Sequence, residues 1–310
     1  MKTPLVSVVI PTFDRTFFLK RAIESVYAQN YQHLEIIVVV DGESPASEKL
    51  IREIKEERIP ITYIETKEKV GGSEARNIGA RAAKGEYIAL LDDDDEWFAN
   101  KITAQMDLIA NDKLSSQDDF LCFTSLKRYK EKSQPVYDKL PNVDYRKSKK
   151  KRIIDYLFET KGLRNIGFIQ TSTVVVPKHI LLETPFTKGL IKHQDWDWLL
   201  KLDKEHSLKI IQVEEPEIIY HSDVPKKDRV GYINRWRFTE EWMTRYKDEF
   251  SQLGYESFIL NYILLGIASD HSLSKQQRYQ EIKKRFDQLS FKTKMRPYTW
   301  KMIFYLLKEK

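Results

Sequence analysis

Four consecutive aspartates, Asp92 to Asp95, followed by Glu96 and Trp97, form the densest group of reactive side chains in the sequence. Like charges this close repel, and a hard divalent cation is a natural neutraliser. Magnesium or manganese would use one or two of these carboxylates, keep waters, and take its remaining ligands from a substrate diphosphate. A solvated acidic turn capping the next helix is the other reading, because aspartate is favoured at helix starts. The cluster by itself leaves both open.

Other polar groups stand at comparable places. Pro11-Thr12-Phe13-Asp14-Arg15 follows one apolar run, Asp41-Gly42 ends another, and the segment Gly71-Gly72-Ser73-Glu74-Ala75-Arg76-Asn77 opens a helical pattern. Further on, His193-Gln194-Asp195-Trp196-Asp197-Trp198 begins an aromatic helix, and His221 ends the run Ile218 to Tyr220.

The elements that must position these groups read as alternating strands and helices. Leu5 to Ile10, Glu35 to Val40, Ile61 to Ile64 and Tyr87 to Leu91 are β-branched or apolar strand runs. Between them, Phe17, Phe18, Ala22, Ile23 and Val26 recur at helical spacing, Ser47 to Glu57 is a charged helix, and Ser73 to Ala83 is a third. Such a pattern implies an α/β fold with a mainly parallel central sheet flanked by helices. Sheets of this kind bind ligands at the carboxyl ends of their strands, where Pro11, Asp41 and Asp92 fall. Leu126 to Arg152 is polar and reads as a loop or insertion with a basic run at Lys147 to Arg152. Strand patterning resumes at Thr171 to Val176, then come the helix Gln194 to Leu202 and strands near Ile210 to Val213 and Ile218 to Tyr220. Beyond Asp228 the pattern is helical. The expected organisation is residues 1–227 as a catalytic domain, 1–100 binding nucleotide and 101–227 the acceptor and catalytic half, with 228–310 a C-terminal helical extension.

Composition sets outer limits. A chain of 310 residues with 41% hydrophobic content can bury a large core. Lys+Arg 52 against Asp+Glu 46 is too balanced for a polyanion binder, so no nucleic acid is expected. The single Cys122 excludes an intramolecular disulfide and a cysteine-rich zinc site, and fits a reducing compartment. Met1 to Ile10 is too short an apolar run for a signal peptide and no run spans a bilayer, so a cytoplasmic protein is expected, at most peripheral at the inner face of the membrane.

Taken in order and spacing, Val9 to Arg15, Val38 to Gly42, Gly71 to Ala80 and the aspartate cluster closely resemble the inverting glycosyltransferases of family 2, which have the GT-A fold. The resemblance is specific over residues 5–100, weaker over 165–225 and absent beyond. It implies that Pro11, Thr12 and Phe13 hold the base and ribose of the donor, and that Asp41 accepts the base N3–H, which favours UDP-sugars. Arg76 and Asn77 match the family's alanine-arginine-asparagine motif beside the nucleotide. Lys69 stands where many members carry asparagine, and a lysine there could reach a phosphate.

The resemblance also implies that Asp92 and Asp94 are the two aspartates of the DxD motif, with Asp93 beside the donor and Asp94 ligating the metal, Mn2+ or Mg2+. His221 matches a late histidine that in some members completes the metal site. Asp195 is implied as the general base, in a crevice whose Trp196 would raise its pKa, with Asp197 as runner-up. Gln194 replaces the usual glutamate next to the base, and Trp97 is placed to stack on a sugar, although core packing suits it equally. A helix with tryptophans in the core and aspartates capping its start explains Gln194 to Trp198 as well.

The implied reaction moves a hexose or N-acetylhexosamine from a UDP-sugar to a hydroxyl of a polysaccharide, lipid-linked or protein-linked glycan. A sugar nucleotidyltransferase is the enzymatic rival, although Pro11 to Arg15 lacks the glycines of a triphosphate loop. An inactive carbohydrate-binding protein of the same fold is the other. At the C-terminus, Trp300, Ile303, Phe304 and Leu307 fall at helical spacing, which suits a peripheral membrane contact, a homo-oligomer or packing on the chain's own domain.

Overall fold

The computed structural model describes residues 3–54, 58–130, 136–150, 152–161, 164–221, 234–297, 299 and 300. Contacts divide the chain into two compact units, one of residues 1–147 and 169–224, the other of 148–168 and 225–310.

The first unit begins β1 (Val6–Thr12), α1 (Thr16–Tyr27), β2 (Leu34–Val40), α2 (Pro45–Glu53), β3 (Ile61–Glu65), α3 (Gly71–Ala82), β4 (Tyr87–Leu90), β5 (Glu96–Trp97) and α4 (Lys101–Asn111). Strands β6 (Phe120–Lys130) and β7 (Val136–Leu140) and the turn of helix α5 (Tyr145–Ser148) follow. The unit closes with a 3-10 turn at Thr171–Thr173, β10 (Val174–Pro177), α7 (Lys178–Glu183), α8 (Gln194–Glu205) and β11 (Lys209–His221). The second unit holds α6 (Ile153–Phe158), the short strands β8 (Thr160–Lys161) and β9 (Arg164–Asn165), α9 (Trp236–Arg245), α10 (Gln252–Phe258), α11 (Leu265–Ala268), α12 (Lys275–Asp287) and α13 (Phe291–Lys294).

The strand order is β3-β2-β1-β4-β10-β6-β11-β5, with β7 added on β6. β1, β2, β3 and β4 are mutually parallel, as are β6 and β11, while β10 runs antiparallel between β4 and β6. Every residue of β1, β2 and β4 is buried, which explains why they read as continuous apolar runs without alternation. Helix α3 packs so tightly on β1 that a Cβ on Gly79 would stand 2.3 Å from Val9 Cγ1. Glycine there lets α3 lie close enough to present Arg76 to Asp92 at the carboxyl end of β4.

Three expectations need correction. The polar stretch after Leu126 is not simply a loop: β6 continues to Lys130 and pairs antiparallel with β7, register Leu126 to Leu140. The two strands expected at 210–213 and 218–220 are one strand, β11, whose register against β6 shifts around Pro216. Residues 148–168 group with the C-terminal helices, which moves them out of the expected catalytic half. The reason is aromatic packing: Phe158 meets Phe258 at 5.1 Å and Phe250 at 5.4 Å between ring centroids. No helix among the described residues is long and apolar enough to cross a membrane. Ile303, Phe304 and Leu307 lie outside the described residues, as do Lys151 of the basic run and Lys301 to Lys310.

Candidate active site

The turn after β4 separates the four aspartates by burial. Asp93 and Asp95 are buried, whereas Asp94 and Asp92 keep 25% and 21% of their side chains exposed. Thr12 at the end of β1 donates its hydroxyl to Asp93 Oδ2 at 2.6 Å. Arg15 donates Nε–H to the same oxygen at 3.1 Å, Nη2–H to Asp93 Oδ1, and Nη1–H to Asp94 Oδ2 at 3.2 Å. Burial pushes Asp93 up to about 7, against the pull of Arg15. Burial raises Asp94 too, and it holds Asp95 well above the usual carboxylate range, with the neighbouring aspartates adding to both. Asp93 is thus buried inside the turn and committed to Thr12 and Arg15.

Asp92 is held from two sides. Arg76 on α3 donates Nη2–H to Asp92 Oδ1 at 2.5 Å, and Gln170 donates Nε2–H to Asp92 Oδ2 at 3.0 Å. The same Gln170 amide reaches Asp95 Oδ2 at 2.8 Å, where the Ser172 hydroxyl also donates at 2.6 Å. Ser172 Oγ in turn accepts the Asp92 N–H at 3.0 Å. Burial by itself would lower the Arg76 pKa, but Asp92 and then Asp195 raise it, so the guanidinium stays charged between two carboxylates.

Asp195 lies in the first turn of α8, where the helix N-terminus favours a negative charge. Burial raises its pKa, the charge on Asp92 adds to this, and Arg76 with hydrogen bonds from the Thr171 hydroxyl and N–H opposes it. The Thr171 hydroxyl also stands 3.3 Å from Asp92 Oδ2, so one threonine touches both carboxylates. Gln194 takes Arg76 Nη1–H on Oε1 at 3.0 Å and donates Nε2–H to Leu190 O at 2.8 Å. Trp196 stacks on His193 at 4.7 Å, and His193 takes a left-handed φ of 65° that sets the start of the helix. Asp197, the runner-up base, is buried and accepts the Thr187 hydroxyl at 2.6 Å.

The nucleotide side is built at the ends of β1 and β2. Pro11 and Thr12 are buried strand residues, while Phe13 is 38% exposed and carries Lys69 Nζ over its ring at 3.8 Å. Lys69 thus meets an aromatic face here. Asp41 accepts the N–H of Val70 at 2.5 Å and of Gly71 at 3.0 Å, serving as the cap that Val70, the N-cap residue of α3, does not supply. Helix α2 has its own cap, Ser44, which accepts Ser47 N–H at 3.3 Å.

Two predicted residues stand apart from the crevice. Asn77 is buried with its amide committed to the loop before α8, accepting Phe186 N–H and donating to Phe186 O, both at 2.9 Å. Trp97 is buried, donates Nε1–H to Ser172 O at 3.0 Å and lies under Lys101 Nζ at 3.9 Å, so it is core and not a sugar platform.

His221 Nε2 stands 3.3 Å from Glu96 Oε2, and its ring lies 5.7 Å from that of Tyr129. Among the described residues no three His, Cys, Asp or Glu side chains form a metal site. The part-exposed carboxylates of Asp94 and Asp92 nonetheless suit a hard cation that takes its other ligands from phosphates.

Arg15, Gln170, Thr171 and Ser172 were not anticipated as site residues. Tyr220 joins them: burial raises its pKa, and the charges of Asp95, Asp94, Asp195 and Asp92 raise it further. Their only sequence signal is position, Arg15 after β1 and the others at strand ends.

Residues 7–168 match the sequence model of Glycosyl transferase family 2. The amylovoran biosynthesis glycosyltransferase AmsB of Erwinia amylovora is 30% identical over 226 residues, 71% of each chain. An uncharacterized glycosyltransferase of Haemophilus influenzae is 29% identical over 68% of this chain and 76% of its own. Among solved structures, S. aureus TarS in complex with UDP-GlcNAc superposes with a TM-score of 0.64 at 12% identity, covering 98% of this chain and 89% of that one. The mannosyltransferase PcManGT of Pyrobaculum calidifontis, in complex with GDP-Man and Mn2+, gives 0.59 at 15% identity over 100% and 89%.

Proposed function

The chain belongs to glycosyl transferase family 2 and has the GT-A fold, and from that premise we propose that it is a metal-assisted inverting transferase. It moves a hexose or N-acetylhexosamine from a UDP-sugar to a hydroxyl of a glycan acceptor. The observation that carries this reading is the joint hold of Thr171 on Asp195 and Asp92, which sets a carboxylate of raised pKa beside the acidic strand end.

In a single displacement the acceptor oxygen attacks the anomeric carbon while the nucleotide diphosphate leaves from the opposite face. Asp195 takes the hydroxyl proton, and its raised pKa makes it a stronger base than an ordinary aspartate. Arg76, held between Asp92 and Gln194, keeps positive charge next to where the leaving group becomes negative. A divalent cation held by Asp94 and Asp92 would supply electrostatic stabilisation of the departing diphosphate.

Asp41 supports a uridine donor. Its Oδ1 takes two backbone N–H groups and its Oδ2 one, which fixes the carboxylate and leaves Oδ2 acceptor capacity for the base N3–H. That S. aureus TarS is solved with UDP-GlcNAc agrees with this choice. The deciding experiment is release of nucleotide from a panel of UDP- and GDP-sugars with and without Mn2+, coupled to NMR of the product's anomeric configuration. Mn2+-stimulated UDP release with inversion is expected. Retention would overturn the single displacement, and release of GDP alone would overturn the uridine assignment.

A further inference from the structure

In the second unit, the segment after α12 presents its side chains in reverse of the usual order. Thr293 and Thr299 are buried, whereas Phe291, Met295 and Trp300 are 78%, 59% and 55% exposed. The cause is a buried carboxylate. Glu256 accepts the Ser290 N–H at 2.7 Å, the Ser290 hydroxyl at 2.8 Å and the Thr293 hydroxyl, and Thr299 donates to Thr293 O at 2.6 Å. These bonds turn the threonine edge inward. Phe291 and Met295, one turn apart on and just after α13, are left facing out.

Single exposed apolar residues are ordinary, but three large ones within ten positions call for a covering surface. Charge selects it. From Gln288 to Lys308 the sequence has Lys292, Lys294, Arg296, Lys301 and Lys308 and no Asp or Glu. A second copy of this face would bring like charges together, while an anionic surface would neutralise them. Exposed aromatic and methionine side chains interleaved with Lys and Arg match the headgroup layer, which accepts apolar bodies and pairs with cationic tips.

We infer that the surface carrying Phe291, Lys292, Met295, Arg296 and Trp300 is a docking surface for an anionic lipid bilayer. Phe291, Met295 and Trp300 enter the headgroup boundary, and Lys292 and Arg296 pair with lipid phosphates. This holds whether or not the transferase reading does, since its test reads binding and not turnover.

The test is co-sedimentation of the full chain with vesicles of phosphatidylcholine, with and without phosphatidylglycerol. Binding to the anionic vesicles only, weakened by added salt, is expected. The triple variant Phe291→Ser, Met295→Ser, Trp300→Ser should bind about tenfold or more weakly, and so should Lys292→Glu with Arg296→Glu, which keeps the test open if the triple variant misfolds. Equal partition onto neutral vesicles, or none onto either kind, overturns the inference. So does a triple variant that changes the oligomeric mass in light scattering while vesicle binding stays unchanged, which would assign the face to a second copy.

Discussion

Gln170 Nε2 stands 3.0 Å from Asp92 Oδ2, tying the turn before β10 to the acidic end of β4 across 78 positions of sequence. The same amide nitrogen reaches Asp95 Oδ2, and Gln170 Oε1 accepts the Ser172 N–H at 2.8 Å, so the side chain is satisfied at both ends. Two carboxylates of like charge are thereby held at fixed separation by one neutral donor. Gln170→Ala should cost about 1–3 kcal/mol in denaturant unfolding, because it strips one donor from each of Asp92 and Asp95 and takes the acceptor from the buried Ser172 N–H. Turnover should fall with it, since Asp92 loses one of its three side-chain donors, keeping only Arg76 and Thr171. A variant with wild-type stability and turnover would show that the clamp has no role.

Thr171 bears on the base itself. Its hydrogen bonds lower the Asp195 pKa, which burial and Asp92 raise. Thr171→Val removes the hydroxyl and should move the acidic limb of the pH–rate profile to higher pH, because the base then stays protonated over a wider range. An unmoved limb would break the link between Thr171 and the titrating base.

Asp195→Asn should reduce kcat by about 10²–10⁴-fold while UDP binding, read by calorimetry, stays within about twofold. Asp94→Ala should do the opposite, weakening Mn2+-dependent UDP binding first. Near-normal turnover of Asp195→Asn would point to Asp197 or another base.

Asn77 is assigned here to structure. Asn77→Ala removes both bonds to the Phe186 backbone and should lower stability by about 1–3 kcal/mol with little change in KM for the donor. A large rise in donor KM at unchanged stability would restore the donor-contact role.

Lys101 is wholly buried over Trp97 with no hydrogen-bond partner on Nζ among the described residues, and burial pushes its pKa down to about 7 from 10.5. The folded state thus binds the proton less readily than the unfolded chain. As pH falls from about 10.5 the unfolded chain takes up a proton first, so this amine destabilises the fold progressively more, levelling off below about 7. Lys101→Met should therefore raise Tm most at pH 6 and least at pH 10, measured against wild type by calorimetry. A gain in Tm that does not vary with pH would refute the titration.

How much of this was legible before folding depended on range. The strands β1, β2 and β4 declared themselves because burial on both faces demands unbroken apolar runs, and their polar ends, Asp41 and Asp92, followed from chain direction in a parallel sheet. The order and spacing of those ends was enough to indicate the family, and the start of α8 marked Asp195. What a linear reading cannot contain is which side of a turn each side chain takes. Four aspartates in a row are chemically identical in sequence, and only the packing of Thr12, Arg15 and Ser172 around the turn buried Asp93 and Asp95 while leaving Asp92 and Asp94 at the crevice. Asn77 and Trp97 became structural for the same reason, since their partners Phe186 and Ser172 lie 109 and 75 positions away. The sequence determined the fold class, the family and the acidic strand end, because local patterning encodes elements and their direction. The tertiary structure alone decided which carboxylates stay part-exposed, because burial and hydrogen bonding between distant segments set that.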